Sequence, residues 1–425
     1  MIPLFTWPMN DVLAQHVKQL IDEEVPEGQH VEYKQTLPCG DAKGDPWLGE
    51  GKKIGNEARD KILAEVIAFA NAEGGTVVVG IEETDDHPKR AKDINHLPKC
   101  HELADRFRLS ARDCIDPQLP TIEVFSVETS KRPKGSGVVV FRVPASRLSP
   151  HRLTTTREVH IRRADRTEKM TMREIQDQSI KSASVLSALE AMFEDRRATP
   201  REFIKEGAFH GVQRLAIRIT AAPTRTEFYI DRVYENPLLF GPLRAFAFTF
   251  NGRTKNLGPP NQVVSINEYA ARPILRGGRR SSAPDDNFSL ILEVYGNGLI
   301  EFYFSSKGNK EKNPVYLDWV LGLVANALTI VEATRQSAGA TSAEFALDIE
   351  VSSSGFPPLL VDLSVRQYLG VGNRDGGKLS PNPLRLPKHL VANSGEFSVV
   401  IRDVMNDLRE AAGLRAVEDV EVNFN

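Results

Sequence analysis

The run Ala68-Phe69-Ala70-Asn71-Ala72-Glu73-Gly74-Gly75-Thr76-Val77-Val78-Val79-Gly80-Ile81-Glu82-Glu83 changes its hydrophobic period halfway along. Its first part closes a helix that opens at Asn56 and keeps Ile62, Val66, Phe69 and Ala70 on one stripe. Gly74 falls where a left-handed residue ends a helix, and the glycine pair permits a tight reversal. Asn71 reads as a turn or capping residue rather than a ligand contact. Thr76 to Ile81 is then a β-branched run, expected as a central strand.

Working outward, a helix is expected from Asn10 or Asp11 through Leu13, Val17, Leu20 and Ile21, stopped by the acidic turn Glu23 to Gly28. His30 to Lys34 alternates as a short strand, and Pro38 to Gly55 reads as a long loop. Beyond the central run come a helix around Leu103 and Phe107 and strands at 121–127, 138–143 and 159–162. A capping box, Thr171-Met172-Arg173-Glu174, opens a helix that runs toward Phe193. The polar segment from Glu194 to Pro200 is the expected boundary, giving an α+β chain of two domains, 1–195 and 200–425. In the second, Tyr295-Gly296-Asn297-Gly298 marks a hairpin between Phe288–Val294 and Leu299–Phe304. A helix over Leu317–Ala333, strands at Phe345–Val351 and Phe397–Ile401 and a helix at Val404–Ala412 complete it.

With 425 residues, 41% hydrophobic and 26% charged, the chain can bury real cores. A net charge of −3 excludes a globally basic nucleic-acid binder but not a local basic patch. Three cysteines, Cys39, Cys100 and Cys114, make no disulfide framework, and a reducing cytoplasm is the expected compartment. The start of the chain lacks the pattern of a secretory leader. The apolar stretch Val315 to Ala333 contains Asp318 and Asn326, so a buried helix is expected rather than a membrane span.

Chemistry concentrates in the first domain. Glu32 and Lys34 are two apart on a strand and share a face, and Glu27 lies in the turn that feeds it. Counted by alternation, Glu82 shares a face with Val78 and Gly80. If the two strands are neighbours, Glu27, Glu32 and Glu82 can converge. Three carboxylates at one point need a cation, and oxygen donors suit Mg²⁺ or Mn²⁺. Lys34 would then offset negative charge developing on a phosphodiester. The plainer reading of Glu-x-Lys on a strand is a solvated ion pair.

Three motifs occur in order: Glu27 followed after four residues by Glu32-Tyr33-Lys34, then Ala68 to Gly75, then Val78-Val79-Gly80-Ile81-Glu82-Glu83. Together they resemble the signature of the Schlafen AlbA-2 family, and the similarity extends more weakly to His160-Ile161-Arg162-Arg163. The resemblance implies an endoribonuclease acting on transfer RNA or other structured RNA, with two Glu and one Asp binding a divalent ion. Glu27 and Glu32 match the glutamates, and the Asp position falls on Glu82 or Glu83. The resemblance also implies a setting in bacterial anti-phage defence, while many bacterial relatives are described only as DNA-binding or ATP-binding proteins. The glycine that the family places after its late arginine is Ala164 here.

A basic cluster, Arg152, Arg157, Arg162, Arg163, Arg166 and Lys169 with His151 and His160, suits phosphate contact. It reads equally as a solvated face offset by Glu158, Asp165 and Glu168. Lys52 and Lys53 are loop charges able to touch RNA. The surrounding Gly49-Glu50-Gly51-Lys52-Lys53 is not a P-loop, because Pro46 and Lys53 stand where Gly and Ser or Thr are required. Cys100-His101 and Cys114 lack the spacing of a zinc site, and no serine-hydrolase elbow or zincin motif occurs. Two functions stand foremost, a metal-dependent nuclease favouring RNA or a non-catalytic nucleic-acid-binding regulator; a scaffold with no nucleic-acid role is a third, favoured slightly by the acidic pI and opposed by the motif match. In either, the second domain would sense a trigger, recognise substrate or hold a homo-oligomer.

Overall fold

The computed structural model describes all residues except 1–2, 7–8, 10–11, 41–43, 51, 120–121, 131–132, 199–213, 225–228, 251–252, 259–265, 283–287, 308–312, 339, 341–342, 362–376, 419 and 425. The chain has mixed helix and sheet and divides into two compact units, an N-terminal one to Ala188 and a second from Leu189, with short segments near 224 and 340 joining the first. The division falls inside a helix, Met172–Ala198, not in a loop.

In the N-terminal unit the described elements are α1 (Pro3–Thr6), α2 (Ala14–Asp22), β1 (Val31–Lys34), α3 (Pro46–Glu50), α4 (Asn56–Asn71), β2 (Gly75–Val79), β3 (Ile81–Glu83) and β4 (Ala91–Ile94). There follow α5 (Cys100–Cys114), β5 (Ile115–Asp116), β6 (Glu123–Ser130), β7 (Ser136–Val143), β8 (Arg152–Leu153), β9 (His160–Arg163), β10 (Arg166–Lys169) and α6 (Met172–Ala198). Asn10 and Asp11, expected to open α2, lie outside the described residues. The helix begins at Ala14, where His16 Nδ1 accepts from the Leu13 amide.

A four-stranded sheet in the order β1-β2-β7-β6 forms the middle layer, with β1 parallel to β2 and the other pairs antiparallel. Alternation along β2 sends Val77 and Val79 to one face and Val78 to the other. Val77, Val79 and Phe141 pack under α4 and α5 through Ile62, Val66, Phe69, Leu103 and Phe107. Tyr33, Val78, Val138 and Val140 pack under α2 through Val17 and Leu20. The central strand is therefore buried on both faces, as its unbroken β-branched run requires.

The reversal after α4 is built as its residues demand. Gly74 has φ +79°, and a Cβ there would stand 2.8 Å from Ala145 N and Val143 O. Asn71 is buried, and its amide donates to the carbonyls of His151 and His160. Its oxygen accepts from the His151 amide and the Ser149 hydroxyl. This side chain thus ties β8 and β9 to the end of α4. The capping box forms: Glu174 accepts from the Thr171 amide at 2.8 Å, and Thr171 Oγ1 accepts from the Glu174 amide at 3.4 Å.

The second unit is built on an eight-stranded antiparallel sheet that includes Arg214–Pro223, Phe288–Tyr295, Ile300–Lys307 and Phe345–Ser353. The expected hairpin pairs Val294 with Ile300 around the Gly-Asn-Gly turn. The helix Leu317–Ala338 is long and apolar enough to cross a membrane by length and composition, but most of it is buried inside this unit. One expectation fails. Phe397–Ile401 is not a strand but the start of a helix, Phe397–Ala411. Phe397, Val400, Ile401, Val404, Met405 and Leu408 recur at helical spacing and are all buried, so the longer period overrides the local β-propensity of Val399-Val400-Ile401.

Replacing Asn71 by Ala leaves the buried His151 amide without an acceptor and removes two donors. Asn71→Ala is expected to destabilise the N-terminal unit by about 2–4 kcal/mol. Urea unfolding read by hydrogen exchange at the amides of β2 checks this; a change under about 0.5 kcal/mol would remove the hub role argued for Asn71.

Candidate active site

The register of β1 on β2 sets Glu32 opposite Val77 and Lys34 opposite Val79, so both side chains emerge on the α4 face. That face is otherwise apolar, which makes the pair expensive to bury without compensation. The Glu32 carboxylate is closed off from water and held from two sides. Lys34 Nζ donates to its Oε1, and Arg162 Nη2 lies 2.7 Å from its Oε2. Arg162 has a side chain only 1% exposed; it reaches over the Phe69 ring at 5.1 Å and also donates to the Gly28 carbonyl at 2.9 Å. Glu65, from α4, lies 3.5 Å from Lys34 and 3.6 Å from Arg162, and accepts from the Thr167 hydroxyl.

Burial, with the Glu65 charge added, raises the Glu32 carboxyl above its ordinary value, against the pull of Lys34 and Arg162. Burial lowers the Lys34 ammonium, but Glu65 and Glu32 outweigh it and hold the group above its ordinary value.

Glu27 sits in the turn ahead of β1, and its Oε1 accepts from the Tyr33 amide at 2.8 Å. Burial and the nearby Glu32 charge push its carboxyl from 4.5 up to about 7, and Glu83 adds to the shift by its charge and by a hydrogen bond. Glu83 in turn has Lys89 2.8 Å away.

The acid that acts on Glu27 from β3 is Glu83, whereas Glu82 is turned toward Lys92. Alternation carried from Val78 through Glu82 fails because Gly80, at φ +106°, breaks the strand. Beyond it, β3 leaves the central sheet and pairs with β4, with Glu82 opposite Asp93 and a register shift before Glu83. Glu82 faces Lys92 at 2.6 Å on the surface.

The basic residues separate in the same way. Arg162 is a buried strut under Glu32, not a phosphate contact on an open face. Arg163 is exposed and pairs with Glu168 and Glu174, while Arg152 pairs with Asp116 at 2.8 Å. Lys169 pairs with Glu158, so the offsetting acids expected from sequence stand where that reading has them. Arg157, Lys52 and Lys53 are exposed. His151 and His160 are buried in the Asn71 network, and burial lowers the His160 imidazole below its ordinary value. Ala164 takes φ +51° in the β9–β10 turn, the left-handed conformation a glycine would adopt more cheaply.

Glu65 and Lys89 complete the cluster and escaped the sequence reading, whereas Glu83 was one of the two positions the family resemblance offered. Glu65 left a signal, since it lies three residues after Ile62 and four before Phe69 on the apolar stripe. Lys89 left none, because only the β3–β4 pairing brings it back.

Among the described residues, no three His, Cys, Asp or Glu side chains stand close enough together to hold one metal ion. The expected trio of Glu27, Glu32 and Glu82 is therefore not assembled.

The Schlafen AlbA_2 family model matches residues 27–171. Among solved structures, the chain is similar to the solution structure of the N-terminal domain of a RecG-related protein from Nitrosomonas europaea, at 15% identity and a TM-score of 0.20. That match covers 32% of this chain and 74% of the other. No curated protein matches the chain.

Two outcomes follow from this geometry. Arg162→Ala strands the buried Glu32 and is expected to cost about 3–5 kcal/mol, while Arg152→Ala and Arg163→Ala, at exposed pairs, cost at most about 1. Chemical denaturation of the three variants checks the contrast, and equal costs would refute it. The second concerns pH. Because the folded state holds the Glu27 proton more tightly than the unfolded chain, Glu27 favours the fold below 4.5 and loses that contribution as pH rises to about 7. Melting temperatures from pH 4 to pH 8 should fall more across this window in the wild type than in Glu27→Gln. Parallel curves would mean that Glu27 carries no raised pKa.

Proposed function

We propose, for a chain whose N-terminal unit is a Schlafen AlbA_2 domain, that this unit binds nucleic acid and cleaves RNA at the Glu27–Glu83 pair. The observation that carries the reading is Glu27 itself, a carboxyl pushed to about 7 beside a second acid and within a cluster of Lys34, Lys89 and Arg162. A general base works best when its pKa lies near the working pH, and pairs of acids with separated environments recur at catalytic sites. Surface acids with exposed partners lack that poise.

In the proposed reaction Glu27 takes the proton of the attacking hydroxyl, either water or the RNA 2′-OH; as that oxygen bonds to phosphorus the P–O bond to the departing ribose breaks, and the leaving oxygen takes a proton from solvent. Lys34 turns from Glu32 toward a non-bridging phosphate oxygen and stabilises its developing charge. Arg162 stays in place, holds Glu32 fixed and favours its charged form, while burial and then the Glu32 charge keep the Glu27 proton affinity high. Mg²⁺ or Mn²⁺, the cofactor the resemblance implies, finds no three-acid site among the described residues, so no step is routed through it, and Lys34 and Lys89 supply the positive charge. Transfer RNA as substrate, and a role in bacterial defence against phage, rest on the family resemblance alone.

The non-catalytic regulator is favoured by a different observation: both oxygens of Glu32 are already engaged by Lys34 and Arg162. On that reading the cluster is a structural brace, and only the exposed cations meet nucleic acid.

Incubation of the full chain with a transfer-RNA pool and Mn²⁺ or Mg²⁺, with an EDTA control, separates the two. Discrete fragments are expected from the wild type, with at least a 100-fold loss in Glu27→Gln, the upper part of what one acid–base group supplies. Glu82→Gln is expected to cut normally. Intact RNA in every lane, together with salt-sensitive retention in a shift assay, would leave the regulator reading in its place.

A further inference from the structure

The second unit contains a cleft of about 1100 Å³ with a composition unlike an ordinary packing defect. Its walls carry Arg196, Arg232 and Arg276 together with Tyr229, Tyr234 and Tyr295, and Asp231 is the one carboxylate among its described lining residues. Behind the wall Glu235 stands 3.7 Å from Arg232 and Glu293 accepts from the Tyr295 hydroxyl, which leaves Arg196 and Arg276 as the guanidinium groups with no ion pair among the described residues.

Each arginine is held in an unusual way. Arg196 stacks on the Tyr295 ring at 4.9 Å and donates to its hydroxyl at 3.4 Å, while its buried Nε has no hydrogen-bond partner among the described residues. Arg232 and Arg276 adopt φ +45° and +58°, a region that glycine or asparagine enters at lower cost. Arg276 makes no ion pair among the described residues, and Arg232 has only Glu235 at 3.7 Å. At the rim, Tyr229 is 86% exposed and Leu275 is 87% exposed, so apolar surface is presented beside the charge.

Guanidinium groups recognise phosphate oxygens, and tyrosine rings present flat faces on which a base stacks. We propose that this cleft is a nucleotide-binding site, taking a base against its tyrosines and a phosphate on its arginines. The ligand is either a free nucleotide or one unit of a single strand, two sources with the same recognised chemistry. This site is separate from the Glu27 cluster and does not depend on cleavage there.

The test uses the full-length protein, irradiated with 4-thiouridine monophosphate or with a short single-stranded RNA carrying 4-thiouridine, and maps the adducts by mass spectrometry. Adducts are expected on residues 229–234 or 295–297. Arg276→Ala and Tyr229→Ala, both at exposed side chains, should reduce them about tenfold, the order expected for losing one stacking or phosphate contact. Labelling by the mononucleotide would identify a free-nucleotide pocket, and labelling by the strand alone would identify a strand-binding groove; either supports the site. The proposal is overturned by adducts confined to residues 1–188, by equal labelling in both variants, or by complete protection with inorganic phosphate at the nucleotide's concentration. Because the readout is the adduct position, a failure of RNA cleavage leaves it intact.

Discussion

Burying the Glu32 carboxylate on an apolar helix face is the constraint around which the N-terminal unit is arranged. A lone ionised carboxylate there would cost several kcal/mol even after relaxation. Lys34 from the same strand supplies one cation, but the second, Arg162, lies 130 residues further along, in β9. Everything that places Arg162 therefore serves Glu32. Asn71 fixes the backbone of His160 two residues before the arginine, Phe69 offers its ring to the guanidinium, and the carbonyl of Gly28 accepts a hydrogen bond. The reversal from α4 into β2 is thus more than a turn. It presents Phe69 and Asn71 to β9 while Gly74 lets β2 start close beneath them.

Much of the fold was legible because these devices are local. A change of hydrophobic period, a glycine where positive φ is needed and a reciprocal Thr–Glu capping box each act within a few residues, and each stands in the structure. The helix from Phe397 shows the opposite case. Five residues rich in Val and Ile favour a strand by propensity, and the deciding apolar stripe appears only when the window extends to Leu408. Packing of that stripe outweighs the local preference, which spans only about 1 kcal/mol.

The candidate site was legible in kind but not in arrangement. Glu27, Glu32 and Lys34 are close in sequence, so their neighbourhood could be read from strand alternation. The choice between Glu82 and Glu83, which the resemblance left open, could not be read from alternation, since one glycine at φ +106° resets it and turns Glu83 rather than Glu82 toward Glu27. Arg162 was visible as a basic residue, yet its burial could not be inferred from a run of charges. Whether a cation is a surface contact or a buried strut depends on which residues oppose it across the fold, and that information is non-local.

The same cluster shows why charge neutrality alone does not fix chemistry. Four carboxylates, Glu27, Glu32, Glu65 and Glu83, stand with three cations, Lys34, Lys89 and Arg162. If each acid were equally served, the group would be an inert ion network. They are not equally served. Glu32 and Glu65 share Lys34 and Arg162, and Glu83 has Lys89, whereas Glu27 has one backbone amide and two acidic neighbours. Burial is the larger cause of the raised Glu27 carboxyl, and the Glu32 charge adds to it, so Glu27 keeps its proton up to about 7. Moving Arg162 or Lys34 would change the Glu32 contribution even though neither touches Glu27 by a hydrogen bond. The brace that holds Glu32 is in this sense part of what sets the proton affinity of Glu27, and the structural and chemical roles of the cluster overlap in one arrangement.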